Sequence, residues 1–279
     1  MKKAKHYTKQ ISLHILFIAI IIVSFIPILY ALQVSLSGKG SALSSSLSLI
    51  PENFTFANYK AILTEHPFMR WFANSLILSI GTVVLSMATA IPAAYVFSRM
   101  RWKSRNAILK SLIILNAFPQ VLSLFALFRI LKTMGMLNKF SGLIMIYAGS
   151  MCVFAIWNLK GYFDSIPVEI EEAARIDGAG DFMLVVRIVL PLALPAIMVT
   201  AVMVLITVWN EYLFATTFLL DNSSYSLAGG LYQLQSNDYS RSWPVFTAAS
   251  ILAFIPLLLV FFSIQKYMIS GLTAGGVKG

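Results

Sequence analysis

Residues 171–191, EEAARIDGAGDFMLVVRIVLP, gather charge, small side chains and two glycines between long apolar stretches, a combination that suits docking rather than catalysis. Pro167 fixes its own φ and starts a helix well, and Glu169, Glu171 and Glu172 put negative charge in the first turn, where the helix dipole favours it. Ala173 and Ala174 are good helix formers with little side chain, so whatever packs on that face can come close to the backbone. Gly178 suits a left-handed C-terminal cap, with Arg175 at the favourable negative end, and Asp181 is placed to N-cap the next segment. That segment, residues 182–190, is apolar apart from Arg187 and leads into a span at Pro191. The pattern predicts a short polar helix, a sharp turn and a second helix entering the membrane.

Catalytic chemistry has no comparable pattern. There is no Gly-x4-Gly-Lys-Ser/Thr loop to cradle phosphates and no His-x-x-x-His pair for zinc, and the three histidines, His6, His14 and His66, are scattered. The single cysteine, Cys152, lies in an apolar run and reads as packing, so neither an intrachain disulfide nor a cysteine metal cluster is expected.

The elements that must position the polar elbow follow from composition. Hydrophobic residues are 58% of 279, charged residues 11%, and mean hydropathy is +0.80, the profile of an all-α polytopic membrane protein. A helix needs about 20 apolar residues to cross a hydrocarbon core roughly 30 Å thick. Six transmembrane helices are expected, over residues 11–34, 72–97, 108–131, 140–160, 189–214 and 245–267. Their continuous apolar character lacks the alternation of barrel strands. One transmembrane domain over residues 1–279 is expected, with a core at about 71–268, a polar loop at about 161–191 and a tail at 269–279.

Loops rich in Lys and Arg stay in the cytoplasm. Fourteen of the 21 basic residues fall on the side of both termini and the polar elbow, among them Lys2, Lys3, Arg99, Arg101, Lys103, Arg105, Arg175, Arg187 and Lys278. Both termini and the elbow are therefore expected to be cytoplasmic, in a multi-pass protein of the cell (inner) membrane. The formal charge of +10 has the same origin, and membrane lipid suffices as its partner without nucleic acid. The first apolar run is about twice as long as a secretory h-region and lacks a small-residue cleavage pattern, so it should remain as the first span.

Two features outside the elbow could touch a ligand or partner. The external segment 221–244 is long and polar and holds Gly229, Gly230 and Gln233, which suits a mobile, hydrogen-bonding loop, although an ordinary surface loop has the same composition. Within the spans, Asn116 and Gln120 flank Pro119, Asn158 sits in the fourth, and Asn210 and Glu211 follow Trp209. Polar groups at mid-membrane are costly, about 2.5–3.5 kcal/mol for an ionised side chain. Asn116, Gln120, Asn210 and Glu211 are thus candidate pore-lining residues, with bonding between neighbouring helices as the commoner use of such groups.

The spacing Glu172-Ala173-Ala174, three residues, Gly178, nine residues, Ile188-x-Leu190-Pro191 resembles the EAA loop of bacterial ABC importer membrane subunits, which have the type I importer fold. The ending Gly271-Leu272-Thr273-Ala274-Gly275-Gly276-Val277-Lys278-Gly279, Trp209-Asn210-Glu211-Tyr212 and Tyr225 to Leu231 are similar to the carbohydrate branch, the MalG type of maltose/maltodextrin permease. The resemblance implies an ATP-driven sugar importer in which this chain is a transport subunit and not an enzyme. It implies ATPase coupling through Glu171, Glu172, Ala173, Ala174, Asp177, Gly178, Ile188, Leu190 and Pro191, and ATPase contact through Gly271, Thr273, Gly275, Gly276 and Lys278. Gly229, Gly230 and Gln233 would then reach into the binding protein. The implied partners are a MalF-like second permease, two ABC ATPase subunits that carry ATP and magnesium, and an extracytoplasmic sugar-binding protein. No cofactor or metal is expected on this chain.

A secondary transporter or channel would show charged residues deep in several spans or paired broken helices in related halves. An intramembrane enzyme would show an acid-base pair within the spans. Neither pattern is present in the sequence. Another oligosaccharide, such as galactan fragments, is an alternative cargo.

Overall fold

The computed structural model describes residues 2–38, 51, 53–236 and 242–276, which are nearly all helical. The helices are α1 (Lys2–Ser35), α2 (Ala57–Thr64), α3 (Phe68–Arg99), α4 (Arg105–Asn116), α5 (Leu124–Thr133), α6 (Phe140–Ser165), α7 (Val168–Ile176), α8 (Asp181–Leu184), α9 (Leu190–Asn210), α10 (Leu213–Phe218), α11 (Leu227–Ser236) and α12 (Trp243–Gly276). Among the described residues, five helices are long and apolar enough to cross a membrane; a sixth span exists if Arg105–Asn116 and Gln120–Thr133 are joined.

That third predicted span is not one straight helix. Its halves meet at 83°. Proline lacks the amide donor and pushes its predecessor out of the α region, so the helix stops short of Pro119 and resumes as a 3-10 turn over Gln120–Ser123. Hydropathy alone cannot register such a bend. The fifth span also ends sooner than residue 214, because the chain turns extended at Glu211 (φ −76°, ψ 123°). The last helix runs on through Gly276, so Gly271, Thr273, Gly275 and Gly276 continue it where a separate tail is expected, and Lys278 lies outside the described residues.

The chain divides into two compact units. The first comprises Met1–Phe68 and Leu231–Ile255. In it the segment after α1 is fixed by Asn58, whose Nδ2 donates to the carbonyls of Ser35 (2.9 Å) and Ser37 (2.8 Å), and by a bridge between Ser37 and Phe54.

The second comprises Met69–Gly230 and Pro256–Gly279 and has α6 packed on α9 at its centre. Leu143, Leu159 and Phe163 of α6 and Ala193 and Val204 of α9 are fully buried, as are Ala90 and Ala94 of α3. In lipid the driving force is close packing rather than water exclusion, so alanine at these contacts is expected. Asn158 donates to Thr200 Oγ1 at 2.6 Å, and Thr200 in turn donates to the carbonyl of Ala196, so this polar pair links α6 to α9.

Candidate functional site

The elbow folds as a helix, a closed turn and a second helix. α7 begins after Pro167, as predicted, and carries Glu169 and Glu171 in its first turn. Its end is a Schellman closure: the Gly178 amide donates to the Arg175 carbonyl (3.0 Å) and the Ala179 amide to the Ala174 carbonyl (2.9 Å). Gly178 sits at φ +87°, a conformation that glycine adopts without a Cβ penalty. Asp181 does not N-cap the next helix. The closure uses up residues 178 and 179, Gly180 becomes the N-cap, and Asp181 enters the first turn, where its carboxylate meets Arg175 at 3.3 Å.

α8 then widens into a π-helical turn over Val185–Val189 before α9 takes over, with Pro191 in the first turn of α9. The winding is continuous from Asp181 to Asn210, so Pro191 lies inside it and leaves one backbone bond of the ladder unmade next to the π turn. Leu184 and Val189 are fully buried, and Ile188 and Leu190 are part-buried against the same core. The apolar end of the motif therefore holds the elbow from inside, while Pro191 is exposed.

The two faces of α7 differ sharply. Glu171 is 2% exposed and Ala174 8%, both turned into the chain's own core, whereas Glu172, Ala173, Asp177 and Gly178 are exposed. The close-packing face expected of the alanine pair is thus split: Ala174 packs inward and Ala173 outward. Glu171 is likewise buried within the chain. Its Oε1 lies 2.5 Å from Arg99 Nε, and its Oε2 accepts from the Tyr95 hydroxyl at 2.9 Å. Arg99 also donates to the Ile166 carbonyl (3.0 Å), and next to it Ser98 donates to Asp164 (2.7 Å), which pairs with Lys160 (2.5 Å). Two anchor points thus join the end of α3 to α6 and α7.

Two outward residues escaped the sequence reading. Ile176 is 86% exposed and Phe182 82%, one at each side of the turn. The available signal was their apolar character inside an otherwise polar helix-turn. Arg99 carries no sequence signal beyond that of a topology charge.

The other predicted residues fall apart from the elbow. Gly229 and Gly230 are buried in the first turn of α11, not in a mobile loop. Ser226 caps that turn through its Oγ to the Gly229 amide (3.1 Å), and a Cβ on Gly230 would lie 2.2 Å from the Trp71 indole. Asn74 donates to the carbonyls of Ser223 and Tyr225, each at 2.9 Å, and Ser75 accepts from the Leu227 amide (2.7 Å), so α3 fixes the whole approach to α11. Gln233 lies farther along that helix and is half-buried.

Of the polar residues in the spans, Asn116 donates to the Ser150 carbonyl (3.3 Å) and Gln120 to Ser150 Oγ (2.5 Å), fastening the 83° bend to α6 beside a cavity of about 480 Å³ that both line. Asn210 bonds back to the Ile206 carbonyl of its own helix (2.8 Å). Glu211 accepts from the amides of Phe214 (2.8 Å) and Ala215 (3.2 Å) and from the Tyr147 hydroxyl, so its carboxylate caps α10.

Comparison with known proteins bears on this geometry. The family described as "Binding-protein-dependent transport system inner membrane component" matches residues 86–273, which include the elbow. The galactooligosaccharides transport system permease protein GanQ of Bacillus subtilis (strain 168) is 34% identical over 99% of this chain and 98% of its own length. The maltose/maltodextrin transport system permease protein MalG of Photorhabdus laumondii is 34% identical over 97% of this chain and 96% of its own. A solved bacterial ABC transporter involved in the import of the acidic polysaccharide alginate contains a chain that superposes with a TM-score of 0.76, at 26% identity over 92% of this chain and 95% of that one.

Proposed function

Since the chain belongs to the binding-protein-dependent transport system inner membrane components, multi-pass permeases of the cell membrane, we propose that it carries oligosaccharides, with maltodextrin-type glucans first. Galactooligosaccharides are the second reading, favoured by the GanQ likeness along nearly the whole chain. The partners are a second permease subunit, two ATPase subunits that hold ATP and magnesium, and an external sugar-binding protein. The balance of lysine and arginine supports a cytoplasmic position for both termini and the elbow.

One observation carries the coupling role. α7 is fixed to its own chain by a buried carboxylate, yet it leaves Ile176 and Phe182 more than four-fifths exposed on either side of a closed turn. Large apolar side chains beside exposed Glu172, Ala173 and Asp177 form a surface that another protein covers. The ATPase takes that face, and the end of α12 makes a second contact with it. When the ATPases close on ATP they push α7, and Arg99 and the buried residues Leu184 and Val189 pass the displacement to α3 and α9. The spans then rock between inward-open and outward-open states.

The test is uptake into proteoliposomes that contain the purified transporter and its binding protein, with ATP inside. Labelled maltotriose and galactotriose should be compared. ATP-dependent accumulation of either supports the importer reading and selects the cargo. Sugar entry that follows an ion gradient and ignores ATP would overturn it.

A further inference from the structure

Beside the elbow, a cavity of about 590 Å³ opens between the Arg99 end of α3, the start of α4 and α7. Arg99, Arg101, Arg105 and Arg175 line it with three carboxylates, Asp164, Glu171 and Asp181. Each carboxylate already has a cation: Arg99 for Glu171, Lys160 for Asp164 and Arg175 for Asp181. Among the described residues, Arg101 and Arg105 have no carboxylate partner. Arg105 is only 8% exposed, and its Nε has no hydrogen-bond partner among the described residues. A buried guanidinium donor without an acceptor is costly. Arg105 also opens α4, whose N-terminus makes no side-chain cap bond, so the helix dipole adds positive potential at the same place. A second hollow of about 400 Å³ shares Arg101 and Arg105 and adds Trp102 and Lys103.

The surroundings select the kind of anion. These residues directly follow a 32-residue apolar helix, and exposed Met100 and Trp102 alternate with the basic side chains. The Trp102 ring lies 5.3 Å from that of Phe97 on α3, which keeps it at the helix end. Tryptophan interleaved with Arg and Lys at the end of a span is the composition of the headgroup layer, and basic pockets between helices at that depth take lipid phosphates.

We propose that this cavity holds the phosphate of an anionic phospholipid, with Arg101 and Arg105 as its ligands. A lipid seated there touches the elbow itself, because Glu171 and Arg175 of α7 form another wall of the same cavity. Membrane composition would then act on the position of α7.

The full chain, purified with the subunits that accompany it, is placed in phosphatidylcholine nanodiscs doped with phosphatidylglycerol, and the retained lipid is counted by native mass spectrometry. Arg101→Gln/Arg105→Gln should lower phosphatidylglycerol retention about 25-fold, about fivefold per arginine, without changing phosphatidylcholine. Arg101→Gln alone, at an exposed residue, should show the single step even if the buried change impairs assembly, and Arg105→Lys should restore part of the loss. Equal retention in wild type and Arg101→Gln overturns the proposal. Inorganic phosphate is titrated in parallel; binding of phosphate that depends on both arginines while phosphatidylglycerol retention does not would assign the cavity to the free ion and also overturn the lipid.

Discussion

Arg99 Nε lies 2.5 Å from Glu171 Oε1 and joins the last turn of α3 to the first turn of α7. The two residues are 72 positions apart in sequence, and both are largely shielded, at 13% and 3% side-chain exposure. Removing one partner of such a pair strands the other charge, at a cost of about 3–5 kcal/mol. Glu171→Ala should therefore lower the thermal midpoint of the purified protein markedly and weaken coupled transport. The double variant Arg99→Ala/Glu171→Ala should melt above Glu171→Ala, since no lone charge remains. Strictly additive losses would mean that the two side chains act independently.

The two faces of α7 predict opposite phenotypes for one kind of change. Ala174→Asp buries a charge in the chain's own core and should reduce folding and membrane yield. Ile176→Asp and Phe182→Asp, at 86% and 82% exposed residues, should leave yield and melting intact but release the ATPase in a detergent pull-down. If the ATPase stays bound to the Ile176→Asp/Phe182→Asp chain, that face does not dock.

Gly178 gives a purely backbone test. Nothing lies within 4 Å of a Cβ built there, so a substitution meets only the left-handed φ of +87°. Gly178→Val should cost about 1–2 kcal/mol and impair uptake, whereas Gly178→Asn, which tolerates that region, should retain most of it. Equal uptake by the two variants would show that the closure is dispensable.

The elbow's local geometry was open to sequence reading because it is set by neighbours: Pro167 starts α7 and Gly178 ends it, each through its own dihedral preference. The spans were legible from unbroken apolar length. Pairing over distance was not, so Arg99 counted only as a positive charge and Glu171 as a docking acid. Glu211 resembled a pore residue because its sequence cannot reveal that two amides of α10 and the Tyr147 hydroxyl surround it. Gly229 and Gly230 suggested mobility, yet their lack of side chains serves close packing.

That packing is itself testable. Gly230→Ala places a methyl 2.2 Å from the Trp71 indole and should destabilise by about 1–3 kcal/mol through overpacking. Gly229→Ala meets Thr216 Cγ2 at 3.2 Å and should be milder. Trp71→Leu should recover part of the Gly230→Ala loss in a melting assay; no recovery would place the conflict elsewhere.

The π-helical turn at Val185–Val189 fixes the azimuth of the elbow about the axis of α9. A π turn holds one residue more than regular winding requires, and each residue of an α-helix advances the chain by about 100°. Deleting a single residue there would restore even pitch with little change of azimuth, because the wide turn already absorbs it; deleting one from the regular winding of α9 would swing Ile176 and Phe182 by more than a quarter revolution, so the engine would find its handle facing the wrong way.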